Sequence, residues 1–176
     1  MIRIVPFAYG LVMLFAMTPA FAQNSAVVPD PMQYLANSDF HSRPARPILD
    51  TKFARLFRTK ILAGAKNGPN FAGHYTLVTW GCGMDSYMFV IVDAVNGKVH
   101  IPPVGCITLV EGNDVPIPGF PKRANPGFRL DSKLLLTIGV EDSDHADPNQ
   151  RAVIIYLFDK NKFKELYRAP APLPDE

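Results

Sequence analysis

Apolar positions along the chain fall into two regimes. From Ile4 to Met17 they run almost without interruption, and after residue 22 they come as short runs cut by proline, glycine and asparagine. The first block follows Arg3 and closes on Thr18-Pro19-Ala20-Phe21-Ala22, the charge, apolar core and small residues of a secretory leader. Its core of about 14 residues is short for a bilayer-spanning helix, which needs about 20. The pattern therefore predicts a signal peptide over residues 1–22 and a mature chain starting at Gln23. No cysteine stands near that point, so a lipid anchor is not expected.

Residues 23–49 carry Pro29, Pro31, Pro44 and Pro47 without a sustained period, the pattern of an extended arm. Asp50 then stands as the N-cap of a helix in which Phe53, Leu56, Phe57 and Ile61 recur at spacings of three and four, with Gly64 as its stop. The other face of this amphipathic helix carries Lys52, Arg55, Arg58 and Lys60 and no acid, a face suited to an anionic partner such as cell-wall polymer or lipid headgroups, or simply to solvent.

From residue 73 onward β-branched and aromatic runs dominate. His74 to Trp80, Tyr87 to Asp93 and Lys98 to Ile101 read as three strands, the last two joined through Asn96-Gly97, residues that tolerate the positive φ of a tight hairpin. Lys133 to Val140, Ala152 to Asp159 and Phe163 to Tyr167 repeat the plan, with Lys160-Asn161-Lys162 at the turn. The runs Phe89-Val90-Ile91-Val92 and Val153-Ile154-Ile155-Tyr156-Leu157 are apolar at consecutive positions, so both strands are expected to be covered on two faces. Residues 102–128 hold six prolines and read as a long loop with room for one short strand at Ile107 to Val110. The expectation is one β-rich α+β domain over residues 50–168. In it two antiparallel three-stranded meanders form a sandwich or a strongly curved sheet with one N-terminal amphipathic helix, followed by a proline-rich tail over residues 169–176.

Composition adds limits rather than a function. The 176 residues carry 18 Lys or Arg against 16 Asp or Glu, too balanced for a nucleic-acid binder, and no apolar run after the leader is long enough to span a membrane. Both cysteines, Cys82 and Cys106, lie in the mature part. In an exported chain they are expected to pair, closing a loop of about 25 residues; a thiolate at Cys82 with His74 as base, or a metal ligand, is the competing reading.

The densest cluster of unusual residues is Asn70-Phe71-Ala72-Gly73-His74-Tyr75, continuing through Thr79-Trp80-Gly81-Cys82-Gly83. With the hairpin Val92-Asp93-Ala94-Val95-Asn96-Gly97-Lys98-Val99, it resembles a group of small exported bacterial proteins described as hypothetical. The resemblance covers residues 66–104 and, weakly, the terminal meander. It implies an exported protein and carries no activity. The pattern often holds a further cysteine just after Trp-Gly-Cys-Gly, where this chain has Met84-Asp85-Ser86-Tyr87.

His74, Tyr75, Trp80 and Asp85 are the candidate binding residues, on a surface pinned by the Cys82–Cys106 staple. The imidazole can orient a ligand or take a proton near neutral pH, and the indole can form a platform; each can equally be part of the core. A second cluster, Glu141-Asp142-Ser143-Asp144-His145-Ala146-Asp147, offers oxygen ligands and an imidazole for a cation at Asp142, Asp144 and His145, or is a solvated acidic loop. Neither a Gly-x-Ser-x-Gly elbow, nor His-Glu-x-x-His, nor a phosphate-cradling glycine loop is present, so no cofactor is expected. The favoured reading is a periplasmic or secreted, non-enzymatic binding, inhibitor or envelope accessory module whose partner is a protein or a cell-envelope ligand. A hydrolase using His74 with Cys82 or Asp85, or the metal, is the alternative. A third reading has the tail from Ala169 to Pro174 dock extended on a partner.

Overall fold

The computed structural model describes residues 27–109, 116–121, 125–141 and 150–171. The leader, most of the acidic loop and the end of the tail lie outside them. Two short helices, α1 (Lys52–Leu56) and α2 (Arg58–Ala65), precede eight strands: β1 (Tyr75–Gly83), β2 (Ser86–Asp93), β3 (Val99–His100), β4 (Ile107–Thr108), β5 (Gly127–Phe128), β6 (Leu134–Glu141), β7 (Ala152–Asp159) and β8 (Lys162–Pro170). Strand-rich, antiparallel architecture is thus what the apolar pattern predicts. Its arrangement is not. In place of two separate meanders, the described strands form one eight-stranded sheet in the order β1-β2-β4-β6-β7-β8, with β3 beside β2 and β5 beside β6.

The join is β4. Its two residues pair with Ser86 and Tyr87 of β2 on one side and with Val140 and Glu141 of β6 on the other. So close an approach needs a bare backbone at Gly139, where a Cβ would stand 2.4 Å from the Thr108 carbonyl oxygen and 2.8 Å from Ile107 Cγ2. The remaining edge of β2, at Ile91 and Val92, pairs with β3.

One face of the sheet folds inward on itself. Leu77, Phe89 and Ile91 of the first half pack in a single core with Leu135, Ile154, Tyr156 and Phe158 of the second, and Phe71 enters from the segment before β1. Alternate residues on the outer face have different covers. Val78, Trp80, Val90 and Val92 lie under Ala54, Ile61 and Ala65 of the helices. Leu134, Leu136, Ile138, Val153 and Ile155 lie under Phe120, with Val28, Tyr34 and Ile117 packed alongside. Both faces of β2 and β7 are therefore dry, which is why their sequences are apolar at consecutive positions.

Local details depart from the sequence reading in instructive ways. Thr51, not Asp50, caps the first helix, its hydroxyl accepting from the Ala54 amide at 3.0 Å. The single helix is split at Phe57, so that Phe53 and Phe57, with ring centroids 4.8 Å apart, both reach Trp80. Gly64 does not stop the helix, which runs on to Ala65; it lets α2 settle on β1, since a Cβ there would lie 2.3 Å from Val78 Cγ1. In the β2–β3 connection only Gly97 has positive φ, and the loop is organised by Asp93, which accepts from the Val95 amide at 2.8 Å and from Asn96 Nδ2 at 2.7 Å. The β7–β8 turn is the tight one, with Lys160 (φ 49°) and Asn161 (φ 63°) both left-handed. β8 continues through Ala169 and Pro170, the first two residues assigned to the tail.

The N-terminal arm is woven across the domain. The Ala36 amide donates to the Asp131 carbonyl at 2.9 Å, and the Ile48 amide donates to Gly97 at 2.7 Å.

Candidate functional site

Phe71 to Tyr75 forms a tight loop closed at both ends: the Phe71 amide donates to the Tyr75 carbonyl and the Tyr75 amide to the Phe71 carbonyl, each at 3.0 Å. This loop throws the His74 ring onto that of Tyr75, with centroids 4.1 Å apart. Strand register sets Asp93 opposite Tyr75, and the carboxylate lies 3.7 Å from His74 Nε2. Asp93 is 4% exposed and has its charge met by the loop donors named above. Tyr75 then reaches across the inward fold, its hydroxyl donating to Asn161 Oδ1 at 2.8 Å while its ring meets the edge of Phe158 at 5.0 Å.

His100 completes the cluster. It is 7% exposed, 5.4 Å from the Phe158 ring and 6.2 Å from that of Tyr75. Its Nε2 has no hydrogen-bond partner among the described residues. Burial and the nearby Lys98 push the imidazole below its ordinary pKa, with Asp93 opposing, so the ring is neutral at neutral pH. His100, Ile101 and Pro103 form one wall of an open groove of about 460 Å³, and Asn161, Lys162 and Phe163 form the other. The groove thus spans the two halves of the sheet, with His100, Asn161, Lys162 and Phe163 in its walls.

The other predicted residues lie elsewhere. Trp80 is 8% exposed and faces the helices, 5.1 Å from Phe57, as part of the core. Cys82 and Cys106, at the far end of β1, stand at bonding distance with Cα atoms 6.3 Å apart, the pairing expected of two cysteines in an exported chain. Asp85 is exposed in the β1–β2 turn, where its carbonyl accepts from Leu109 at 2.6 Å. Eight extended residues separate His74 from Cys82, about 25 Å at strand rise. The structure therefore brings His74 together with Tyr75 but with neither Cys82 nor Asp85, and a bonded Cys82 offers no thiolate. Asp93, His100, Asn161 and Lys162 were not singled out from the sequence. Only hairpin register, pairing the start of β1 with the end of β2, could have pointed to Asp93; the groove's second wall comes from the distant β7–β8 turn.

A second polar cluster closes the opposite end of the inward face. The Tyr156 hydroxyl donates to Glu141 Oε1 at 2.7 Å, and Arg168 binds Glu141 at 3.0 Å and Glu165 at 2.7 Å. The guanidinium holds the Glu165 carboxyl below the usual range, while burial pushes the Tyr156 hydroxyl far up. Glu141 is thereby committed to two partners. The proposed ligands Asp142, Asp144 and His145 fall outside the described residues, among which no group of three His, Cys, Asp or Glu side chains is placed to hold a metal.

Comparison of the chain with protein-family models, with curated proteins and with solved structures found no match.

Proposed function

We propose that this chain is an exported, non-enzymatic binding module whose ligand occupies the groove between the His100–Pro103 segment and the β7–β8 turn. The observation that carries the reading is His100: a buried, neutral imidazole lines an open groove with a ring nitrogen unmatched by any described group. Burying such a nitrogen without a partner costs about 1–3 kcal/mol, which a ligand would recover once the ring turns that nitrogen toward the groove. Lys162 and the Phe163 ring in the groove wall favour a small carboxylate with an apolar body, such as an aromatic acid or a peptide C-terminus. A cysteine pair at bonding distance fits an oxidising compartment, periplasmic or extracellular.

Ligand-observed NMR with a panel of aromatic acids, their methyl esters and capped dipeptides tests this. The acids should bind, their esters should not, and Lys162→Ala should weaken the acids about tenfold, as loss of a charge-assisted hydrogen bond would. Equal binding of acids and esters, or binding that survives His100→Phe, would sink the reading.

A further inference from the structure

Charge is segregated along this chain. Residues 41–73 hold seven Lys or Arg and a single acid, Asp50, whereas residues 74–176 hold ten against thirteen Asp or Glu. The structure sets two parts of the basic segment face to face. Arg43, Pro44 and Arg46 of the arm face Leu62, Ala65 and Lys66 of α2 across a groove of about 710 Å³, far from the His100 site in sequence and built from other elements. Arg58 lies one helical turn before Leu62, and Leu62 one turn before Lys66, so the three share a face. Lys52, Arg55 and Lys60 are also exposed on the helices.

These cations are left open. Among the described residues, the guanidinium and ammonium groups of Arg129, Lys133 and Arg168 are each held by a carboxylate. Arg43, Arg46, Lys52, Arg58, Lys60 and Lys66 have no such partner among the described residues, where Arg55 bonds only backbone carbonyls, of Leu49 and Asp50. Apolar groups are interspersed with the charges: Leu62, Ala65 and two prolines line the groove, Ile48 directly after Pro47 is 50% exposed, and Leu56 between Arg55 and Arg58 along the helices is 75% exposed.

From this combination we infer that the arm and helix face dock on an anionic phospholipid surface. A charged polymer would be matched by the cations alone. A bilayer interface also supplies the glycerol and upper acyl groups that exposed Leu56, Ile48 and the groove floor would meet. No helix among the described residues is long and apolar enough to cross a membrane, so the association is peripheral, at about 1 kcal/mol for each basic residue near the surface.

Vesicle flotation of the full chain tests it, with phosphatidylcholine alone and with added phosphatidylglycerol. The chain should float only with the anionic vesicles and be released by salt. Arg46→Gln with Lys66→Gln should lower the partition about thirtyfold, and Leu56→Gln about threefold at an unchanged salt dependence, with circular dichroism confirming that each variant is folded. Lys160→Gln with Lys164→Gln, an equal loss of charge on the β7–β8 hairpin, should leave binding intact. An equal loss in that control, no flotation of the wild type, or binding to heparin without flotation would overturn the proposal.

Discussion

Tyr75 and Asn161, 86 residues apart, are joined by a 2.8 Å hydrogen bond that ties the start of the first strand to the last tight turn. The bond spans the inward fold of the sheet and fixes the Asn161 wall of the groove relative to the start of β1.

Tyr75→Phe should therefore cost about 1 kcal/mol, the net worth of one hydrogen bond. Asn161→Ala should cost about 2 kcal/mol, because it also forces alanine into a left-handed backbone, and Asn161→Gly should recover part of that. Urea unfolding of the three variants gives the order; Ala and Gly behaving alike would refute the backbone part of the account.

Gly64→Ala gives a prediction of unusual sign. In an open helix interior alanine is better than glycine by about 0.5–1 kcal/mol. Here the added methyl would stand 2.3 Å from Val78 Cγ1, so the change should destabilise by about 1–3 kcal/mol. Combining it with Val78→Ala should give less than the sum of the two single losses, a non-additivity that thermal unfolding can read.

His100 links stability to pH. Its imidazole titrates below the ordinary 6.5 in the folded chain, so the unfolded chain takes up the proton first as pH falls. The group's contribution is complete above that value and is lost as pH drops through the folded pKa. Acids lowered by their ion pairs, Asp131, Asp159 and Glu165, act in a separate window below the ordinary carboxylate range. Stability should fall as pH drops through and below the ordinary histidine value, and His100→Phe should flatten that limb. A limb unchanged in the variant would refute its assignment to His100.

Replacing Cys82 and Cys106 with serine removes a link between residues 24 apart in sequence. The chain-entropy model puts the loss at about 3 kcal/mol, to be measured as a shift of the denaturation midpoint at constant slope. Groove binding at the other end of β1 should persist in the folded fraction.

Local signals carried most of the strand assignment. The ranges read for β1, β2, β6 and β7 come within a few residues of those observed because alternating or continuous apolar runs bounded by turn residues are short-range features. What joins the halves was not legible, since β4 pairs only two residues on each side and its partners lie some 20 and 33 positions away. The short strand expected from Ile107 is there, but a strand so short has no period from which its partners can be read. Trp80 illustrates the same limit for the site. Its place at the strand end suits a platform as well as a core, and only the docked helix decides. Gly64 and Thr51 show how near neighbours compete: a glycine near a helix end reads as a stop until the strand packed against it is known. Of the residues expected to bind, His74 and Tyr75 stack on each other beside Asp93, and Tyr75 reaches the groove only through its bond to Asn161, while the lining residues His100, Asn161 and Lys162 come together through register and tertiary folding.

The double pairing of β4 has a consequence for solubility. Ser86 and Tyr87 of β2 and Val140 and Glu141 of β6 would, without β4, present unpaired amides and carbonyls beside strongly apolar strands. Such edges template association with other chains. Gly139, by letting β4 approach, and Cys106, by tethering the residue just before it, keep those edges capped. The seam that makes two meanders into one sheet is thus also what protects the monomer from strand-to-strand aggregation.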